Sequence, residues 1–297
     1  MMILTRKAAL TITLIGLVAV SHSVVFIRIA GEAPALMIAL SRVALASAIF
    51  LPFGAIATRR LINLAPGALR RAVLSSAFAG LFLALHFASW ITSLERVSIA
   101  ESTVLVSLAP LWIALFDVIS GRGIPTRGLL ISIVLCLLGT LILVFDGAQR
   151  IDGDPFGLLL AASGGVFMAL YLFSGRAARK VLPTTGYVTL CYGTASVLLL
   201  LAVVASEIPM MGYTPKTYAA LLALGLVSQV IGHTSYNWTL STLPPVFVAI
   251  CLLGEPVLGA LLGWLYIGEA IPPAAAGGGI LILLGISFAI RTEMKRT

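Results

Sequence analysis

Ten long runs of apolar residues, separated by short polar segments, form the main pattern along the sequence. The runs cover residues 8–28, 35–57, 71–92, 98–119, 128–146, 156–175, 186–206, 217–239, 246–267 and 273–290. Each run is close to the ~20 residues that a helix needs to cross a bilayer. The runs are apolar throughout, whereas the strands of a membrane β-barrel alternate apolar and polar residues. The pattern therefore predicts an all-α polytopic membrane protein with ten transmembrane helices.

The first run follows Arg6 and Lys7, an order of charge and hydrophobicity that is also found in secretory signal peptides. The run is about twenty residues long, which exceeds the apolar region of a signal peptide, and no clear small-x-small cleavage motif follows it. We therefore interpret it as a retained first span.

Lysine and arginine in the loops predict the orientation. With a cytoplasmic N-terminus, fourteen of these residues lie inside and four lie outside, and this asymmetry is typical of the positive-inside rule. The inside residues are Arg6, Lys7, Arg59, Arg60, Arg70, Arg71, Arg122, Arg127, Arg176, Arg179, Lys180, Arg291, Lys295 and Arg296. The outside residues are Arg28, Arg96, Arg150 and Lys216. The sequence therefore predicts an even number of spans, with both termini in the cytoplasm of a bacterial inner membrane.

Composition excludes a soluble protein. Of the 297 residues, 60% are hydrophobic and only 10% are charged, against roughly 25% charged in a soluble domain. The net charge of +8 is explained by basic cytoplasmic loops, and no basic run with interleaved aromatic residues indicates nucleic-acid binding. The three cysteines lie far apart in apolar runs, so neither a metal site nor a disulfide framework is predicted.

The two parts of the chain resemble each other at an offset of 146 residues. Pro110 aligns with Pro256, Gly139 with Gly285 and, as an aromatic pair, Trp90 with Tyr236. An internal repeat indicates two structural copies, here residues 1–147 and 148–297. Because each copy holds five spans, the second copy enters the membrane from the opposite side. Such inverted repeats are common among secondary transporters, although chance similarity between apolar segments is the alternative.

Polar and aromatic residues inside the spans are the candidates for a substrate cavity, because a polar group in lipid needs a partner or water. These candidates are His22, His86, Trp90, Phe167, Tyr171, Gln229, Tyr236 and Asn237. His86 and Trp90 share a helix face, as do Phe167 and Tyr171. An aromatic cavity with a few hydrogen-bonding groups suits a zwitterion with an apolar side chain, and it also suits hydrophobic drugs. For Trp90 the alternative is a place in an interfacial belt.

Glu255 is the only acidic residue near the middle of a span. Its carboxylate must be protonated, paired or hydrated. Pro256 follows it, and Pro110 occupies the equivalent position in the first repeat; proline kinks or interrupts a helix. Helices interrupted at matching positions of two repeats indicate a binding site, so we expect coupling or gating there. The alternative role for Glu255 is a structural hydrogen bond. For Arg42 we expect a structural pairing with Glu101 or Glu32.

The sequence resembles the drug/metabolite transporter superfamily in its ten-span form with two EamA-type repeats. The residues that carry this resemblance are Arg42, Pro110, Leu243–Pro244–Pro245, Glu255–Pro256 and Gly268–Glu269–Ala270. The first half departs from the family pattern, because Gly121–Arg122–Gly123 replaces an acidic residue and His22 stands near the place of a first-span tryptophan. Within the superfamily the chain looks most like the YddG-type aromatic amino-acid exporters.

The resemblance implies ten helices around a central cavity and no nucleotide-hydrolysing domain. The sequence contains no P-loop motif, and we expect no cofactor, no metal and no enzymatic activity. The predicted function is export of amino acids, chiefly aromatic or hydrophobic ones, or of similar metabolites by alternating access. The expected partners are this small-molecule substrate and membrane lipid, with no nucleic acid, and the expected assembly is a monomer.

Three alternatives remain. One is a carrier for drugs or other metabolites. Another is an intramembrane serine hydrolase built on Ser163 with His233 as base, which the incomplete motif and the topology disfavour. The third is a channel, although the charged rings found in some selectivity filters are missing.

Overall fold

The computed structural model describes residues 4–59, 66–97, 99–144, 154–268, 271 and 273–295. Within these ranges the chain forms helices and no β-strand. The predicted repeat boundary at 147/148 lies outside the described residues, as do Arg60, Asp146, Arg150, Asp152 and Glu269 of the loops.

The helices follow one another with short connections. In chain order they are α1 (Arg6–Ser21), α2 (Ser23–Ile29), α3 (Ala35–Arg59), α4 (Pro66–Ser93), α5 (Ile99–Val106), α6 (Ala109–Ile119), α7 (Arg127–Val144), α8 (Pro155–Arg179), α9 (Thr184–Ala205), α10 (Pro215–Ala223), a π-helical segment (Leu224–His233), α11 (Thr234–Thr239), α12 (Pro245–Leu252), α13 (Glu255–Ile267) and α14 (Pro273–Met294).

Nine helical stretches in the described ranges are long and apolar enough to cross a membrane, and Arg127–Leu143 is a shorter apolar helix. These ten segments coincide with the ten predicted runs. Some predicted spans are composite: α1 and α2 meet at His22, α5 and α6 at 107–108, and α12 and α13 at 253–254. The chain is therefore a polytopic α-helical protein whose spans include several interruptions.

The helix pairs show how the two halves fit together. The most extensive contacts are those of α4 with α8, α7 with α14 and α3 with α9, followed by α4 with α9 and by α1 with the π segment. The pairs α7–α14 and α3–α9 each join corresponding helices of the two halves. Exchanging the halves turns the first span into the sixth and the eighth span into the third. The contact between the first and eighth spans therefore corresponds to the contact between the sixth and third spans. The packing is thus approximately unchanged by this exchange.

Glycine allows α7 and α14 to approach closely. A Cβ atom on Gly139 would lie 2.6 Å from the carbonyl oxygen of Gly278, and one on Gly278 would lie 2.5 Å from that of Gly139. No side chain fits at such distances, so the two backbones touch directly, as small residues permit in membrane bundles.

Contacts between loops match the predicted alternation of spans. At one face, Arg6 Nη1 donates to the carbonyl oxygen of Glu293 over 3.1 Å, so the beginning of α1 lies beside the end of α14. At the other face, Arg96 pairs with Asp154 at 3.2 Å, and the loop residue Glu32 reaches the start of α10. Each contact joins segments that the even span count places on one side.

Candidate substrate cavity at two helix breaks

Two helix breaks with almost the same backbone geometry lie in the two halves. The first break (107–108) separates α5 from α6, and the second break (253–254) separates α12 from α13. Leu108 has φ −73° and ψ −4°, and Gly254, 146 positions later, has φ −75° and ψ −14°. The Leu108 amide donates to Leu105 and the Gly254 amide to Cys251, over 3.3 and 3.0 Å. The same four-residue turn therefore precedes Pro110 and Pro256.

A cavity that both breaks line lies between them. It offers the centres of water-sized molecules about 100 Å³ of space. Since one water needs roughly 10–15 Å³ on this measure, there is room for several waters or for a small organic molecule. The lining residues are Val20, Ser23, Val24, Arg42, His86, Phe87, Trp90, Thr103, Val106, Ser107, Ala109, Pro110, Met168, His233, Ala249, Leu252, Leu253, Glu255 and Pro256.

Arg42 is the cation of the cavity, and its side chain is 0% exposed. Its Nε donates to the side-chain oxygen of Gln229 over 3.1 Å. The guanidinium lies over the Phe87 ring, 4.0 Å from the centroid, which is a favourable cation–π distance. The two terminal nitrogens, Nη1 and Nη2, are buried and have no hydrogen-bond partner. Gln229 thus holds the Nε of the guanidinium and Phe87 covers its planar face, while its outer edge, formed by Nη1 and Nη2, is unpaired.

The observed hydrogen-bond partner of Arg42 differs from the expected one. Gln229 accepts from its Nε, and the Glu32 carboxylate instead accepts from Thr214 and Thr217 at the start of α10. The hydrogen bonds from Thr217 and Thr214 lower the pKa of the Glu32 carboxyl below its usual value, because they stabilise its charged form.

Glu255 is the acidic residue of the cavity and occupies the first turn of α13. A carboxylate is favoured there by the helix dipole, whose positive end lies at the N-terminus. Its electrostatic partner is Arg42, yet the two side chains form neither an ion pair nor a hydrogen bond in the described part of the chain. Ala109 occupies the equivalent position of the first break, so of the two breaks only the second carries an ionisable side chain.

Two histidines complete the polar wall. His86 Nδ1 lies 2.9 Å from the carbonyl oxygen of Gly164, which only accepts, so Nδ1 carries the hydrogen and the neutral ring leaves Nε2 as an acceptor. His86 also stacks on Trp90, with ring centroids 5.7 Å apart. His233 meets Phe87 edge to face at 5.2 Å, and its Nδ1 is buried without a partner.

Six of the predicted binding residues lie outside the cavity lining. Tyr171 and Asn237 belong to a fully buried network in which Tyr171 donates to Asn237 over 2.7 Å and Asn237 donates to Tyr192 over 3.0 Å. Gln229 does not line the cavity but accepts the hydrogen bond from Arg42 Nε. Tyr236 is fully buried, its hydroxyl is without a partner, and its ring meets His233 at 6.1 Å.

The other two of these residues, His22 and Phe167, lie farther along the helices. His22 joins α1 to α2, its Nδ1 contacts the Val18 carbonyl oxygen at 2.8 Å, and its ring neighbours Phe26 and Tyr266. Phe167 stacks on Phe82 at 6.5 Å. The structure thus gathers His86, Trp90, Arg42, Glu255 and the two prolines around the cavity and places the remaining predicted residues elsewhere.

Sequence reasoning did not select several lining residues. Phe87 and His233 are equivalent positions, since they are 146 residues apart, and this spacing was a signal that could have paired them. The hydroxyls of Ser23, Thr103 and Ser107 also line the cavity, but serine and threonine occur throughout the spans and give no sequence signal.

A sequence model of the EamA-like transporter family matches the chain twice, over residues 7–145 and 155–291. The chain belongs to the EamA-like transporter family. Its apolar helices and this membership make it an integral membrane protein of a transporter family, in agreement with the superfamily that the sequence resembled.

Relatives of this EamA-like chain carry transporter names. The Uncharacterized transporter YwfM of Bacillus subtilis is 24% identical over 209 residues, 70% of each chain. The Threonine/homoserine exporter RhtA of Escherichia coli K12 is 25% identical over 207 residues, 68% of this chain and 67% of RhtA. A solved crystal structure of a protein shares the fold with a TM-score of 0.79 at 20% identity, covering 98% of this chain and 99% of that one.

The hydrolase alternative finds no geometric support at Ser163. Its hydroxyl donates to the Leu160 carbonyl oxygen over 2.8 Å, within its own helix, while His233 packs among Phe87, Tyr171 and Tyr236. Among the described residues no cluster of three or more His, Cys, Asp or Glu side chains could hold a metal ion. In the described ranges, no hydrogen bond joins Ser163 to a base.

Proposed function

We propose that the protein is a secondary carrier that exports amino acids or closely similar small metabolites through the cavity between the two helix breaks. The observation that carries this proposal is the placement of both breaks on one cavity. Interrupted helices expose backbone groups and helix ends, which only a protein-lined cavity can accommodate inside a membrane. In secondary transporters such breaks mark the substrate site.

The paired breaks also support an inverted repeat with copies at 1–147 and 148–297. The breaks share their dihedral angles and their turn hydrogen bonds at an offset of 146. The helix contacts are approximately unchanged when the halves are exchanged. With five spans in each copy, the second copy is inverted, and rocking of one half against the other would open the cavity to alternate faces.

The distribution of charge supports the proposed orientation of the chain in the membrane. The basic residues concentrate on the face that holds both termini, which the positive-inside rule assigns to the cytoplasm. We place the carrier in a bacterial inner membrane, acting as a monomer, with the substrate and lipid as its partners and no cofactor.

Amino acids are the proposed substrate class for two reasons. The cavity holds a cation, Arg42, and an anion, Glu255, beside aromatic and hydroxyl groups, which suits a zwitterion. RhtA, a relative over about two thirds of both chains, is named as a threonine and homoserine exporter. The Trp90 and His86 wall suits an aromatic or hydrophobic side chain, as in the YddG-type exporters. A bulky hydrophobic drug fits the small, doubly charged cavity less well.

Counterflow in proteoliposomes tests the proposal. Vesicles loaded with unlabelled L-phenylalanine or L-threonine are diluted into a trace of the labelled amino acid, and we expect a transient, saturable accumulation that protein-free liposomes lack. A hydrophobic cation serves as the comparison substrate. Absence of counterflow for every amino acid, together with flux of the cation, would replace the proposal with the drug-efflux alternative.

A further inference from the structure

The outer edge of Arg42 is the least satisfied polar surface in the described part of the cavity. Gln229 occupies Nε and Phe87 covers the planar face, so only Nη1 and Nη2 are left, and both are buried without a partner. An unsatisfied buried donor is costly, and a charged one more so. These two nitrogens form the fork that binds a carboxylate through two parallel hydrogen bonds.

Glu255 complements this fork without neutralising it. Its side chain is half-buried, lines the same cavity and attracts Arg42 electrostatically, but no ion pair joins the two. Two side chains of opposite charge that line the same cavity normally form an ion pair, because unpaired buried charges are unfavourable. Here the scaffold keeps them apart: Arg42 is held by Gln229 and Phe87 on one side, and Glu255 is fixed at the start of α13 on another.

A molecule with a carboxylate and an ammonium on one carbon satisfies both groups at once. A simple amine would pair only with Glu255, and a simple carboxylic acid only with Arg42, leaving one buried charge uncompensated in each case. The Nε2 acceptor of His86 provides a second partner for an ammonium, which has three hydrogens to donate.

We infer that Arg42 Nη1 and Nη2 bind the carboxylate, and Glu255 the ammonium, of an α-amino acid whose two ends are both free. This inference rests on the proposed function and deepens it, since it names the chemistry that selects the substrate. It gives Arg42 a binding role in place of the structural one that the sequence indicated, and it gives Glu255 a role that Ala109 cannot have in the first break.

Binding of two matched ligand series to the purified protein tests the inference. The first series is L-phenylalanine, phenethylamine and 3-phenylpropionate; the second is L-threonine, 1-amino-2-propanol and 3-hydroxybutyrate. Calorimetry should show that at least one amino acid binds ~10- to 100-fold more tightly than either of its analogues, the range expected when one charged hydrogen-bonding partner is lost.

Two variants assign each end of the ligand. In Glu255→Gln the preference for the amino acid over the carboxylic acid should vanish, while the preference over the amine remains. In Arg42→Met the reverse pattern is expected. If the arginine variant does not fold, the Glu255→Gln pattern decides alone. Ser163→Ala is the control, because the Ser163 hydroxyl bonds within its own helix and Ser163 does not line the cavity, so all preferences should remain unchanged.

The outcomes separate the two proposals. Amino acids that bind and undergo counterflow, but no more tightly than the amines and acids, would overturn the inference and leave the carrier function standing. Selectivity that does not change in Glu255→Gln would also overturn it. Failure of both amino acids to bind or to undergo counterflow would overturn the amino-acid function, and the inference with it.

Discussion

The two helix breaks have the same backbone and different chemistry. Leu108 and Gly254 share their dihedral angles to within 10° in ψ, and Pro110 and Pro256 follow at the same distance. Position 109 is alanine, whereas the equivalent position 255 is glutamate. In the proposed carrier, the two breaks supply a similar backbone scaffold in both halves, while substrate recognition depends on residues such as Glu255 that have no counterpart in the other half.

The same division holds for the helices beside the breaks. α4 is one continuous helix that brings His86, Phe87 and Trp90 to the cavity. The corresponding span in the second half contains the π segment, which brings His233 to the cavity and Gln229 to Arg42. Short π segments are often found at functional sites, and here the π segment lies in a span whose counterpart in the first half is a continuous α-helix.

The largest effect is expected from making the two breaks chemically equal. Glu255→Ala gives both breaks the sequence Ala-Pro, and in the proposed carrier it removes the partner of the substrate ammonium. A charge-assisted hydrogen bond contributes about 1.5–3 kcal/mol, so the initial rate of amino-acid counterflow at low substrate should fall ~10- to 100-fold.

The opposite exchange, Ala109→Glu, should impair counterflow as well, because a second carboxylate would compete with the substrate for Arg42. Ala109→Ser is the control for substitution at that position and should retain most of the rate. If both equalised variants transport at the normal rate, recognition does not depend on the difference between the breaks.

A smaller effect is expected from the aromatic wall in the first half. Trp90→Ala and His86→Ala should each lower the initial transport rate about tenfold, since the stacked pair forms one side of the cavity and aromatic packing contributes ~1 kcal/mol beyond burial. The yield of monodisperse protein should not fall, because both side chains border empty space. Normal kinetics in both variants would remove these residues from the site.

The matched control for Trp90 is its counterpart in the second half. Tyr236 is fully buried and does not line the cavity, so Tyr236→Phe should transport at close to the normal rate. A strong loss there would mean that the halves contribute equivalent aromatic walls.

The smallest effect is expected where the halves touch far from the breaks. Glu32→Gln weakens the acceptor that holds Thr214 and Thr217 at the start of α10, and the melting temperature should fall by on the order of 1 °C. Because these hydrogen bonds lower the pKa of Glu32, the stabilisation is fully present above the usual glutamate pKa. It is lost as the pH falls through the lowered value.

Melting curves of the wild type and Glu32→Gln across acidic pH measure this dependence. The two proteins should converge at the lowest pH, and Glu207→Gln in an exposed loop serves as the control. A difference that grows as the pH falls would contradict the assignment.

Sequence reasoning predicted the spans and the interruptions at Pro110 and Pro256, because apolar length and proline act locally. The interruption at His22 has no proline or glycine to announce it and was not predicted. The predicted hydrogen-bond partner of Arg42 was wrong for a different reason. Which residue faces Arg42 depends on how each helix is rotated about its axis, and the sequence of a helix that is apolar on all sides does not determine that rotation.

The π segment changes which residues of the eighth span lie on the same helix face. A regular spacing of 3.6 residues per turn would place Gln229, Gly232 and Tyr236 on one face. A π-helical stretch from Leu224 to His233 changes the number of residues per turn, so residues beyond it point in other directions. His233 consequently reaches the cavity, while Tyr236 and Asn237 are buried away from it.

Access to the two breaks from opposite faces is the most direct test of the proposed carrier. Ser107→Cys and Leu253→Cys place thiols at equivalent positions of the cavity, while the native cysteines in the described structure are buried. A membrane-impermeant thiol reagent is applied to right-side-out and to inside-out vesicles. Alternating access predicts that both thiols react in both kinds of vesicle, and that a transported amino acid slows the reaction. Reaction from only one face, unaffected by amino acids, would contradict a shared cavity that opens alternately to the two sides.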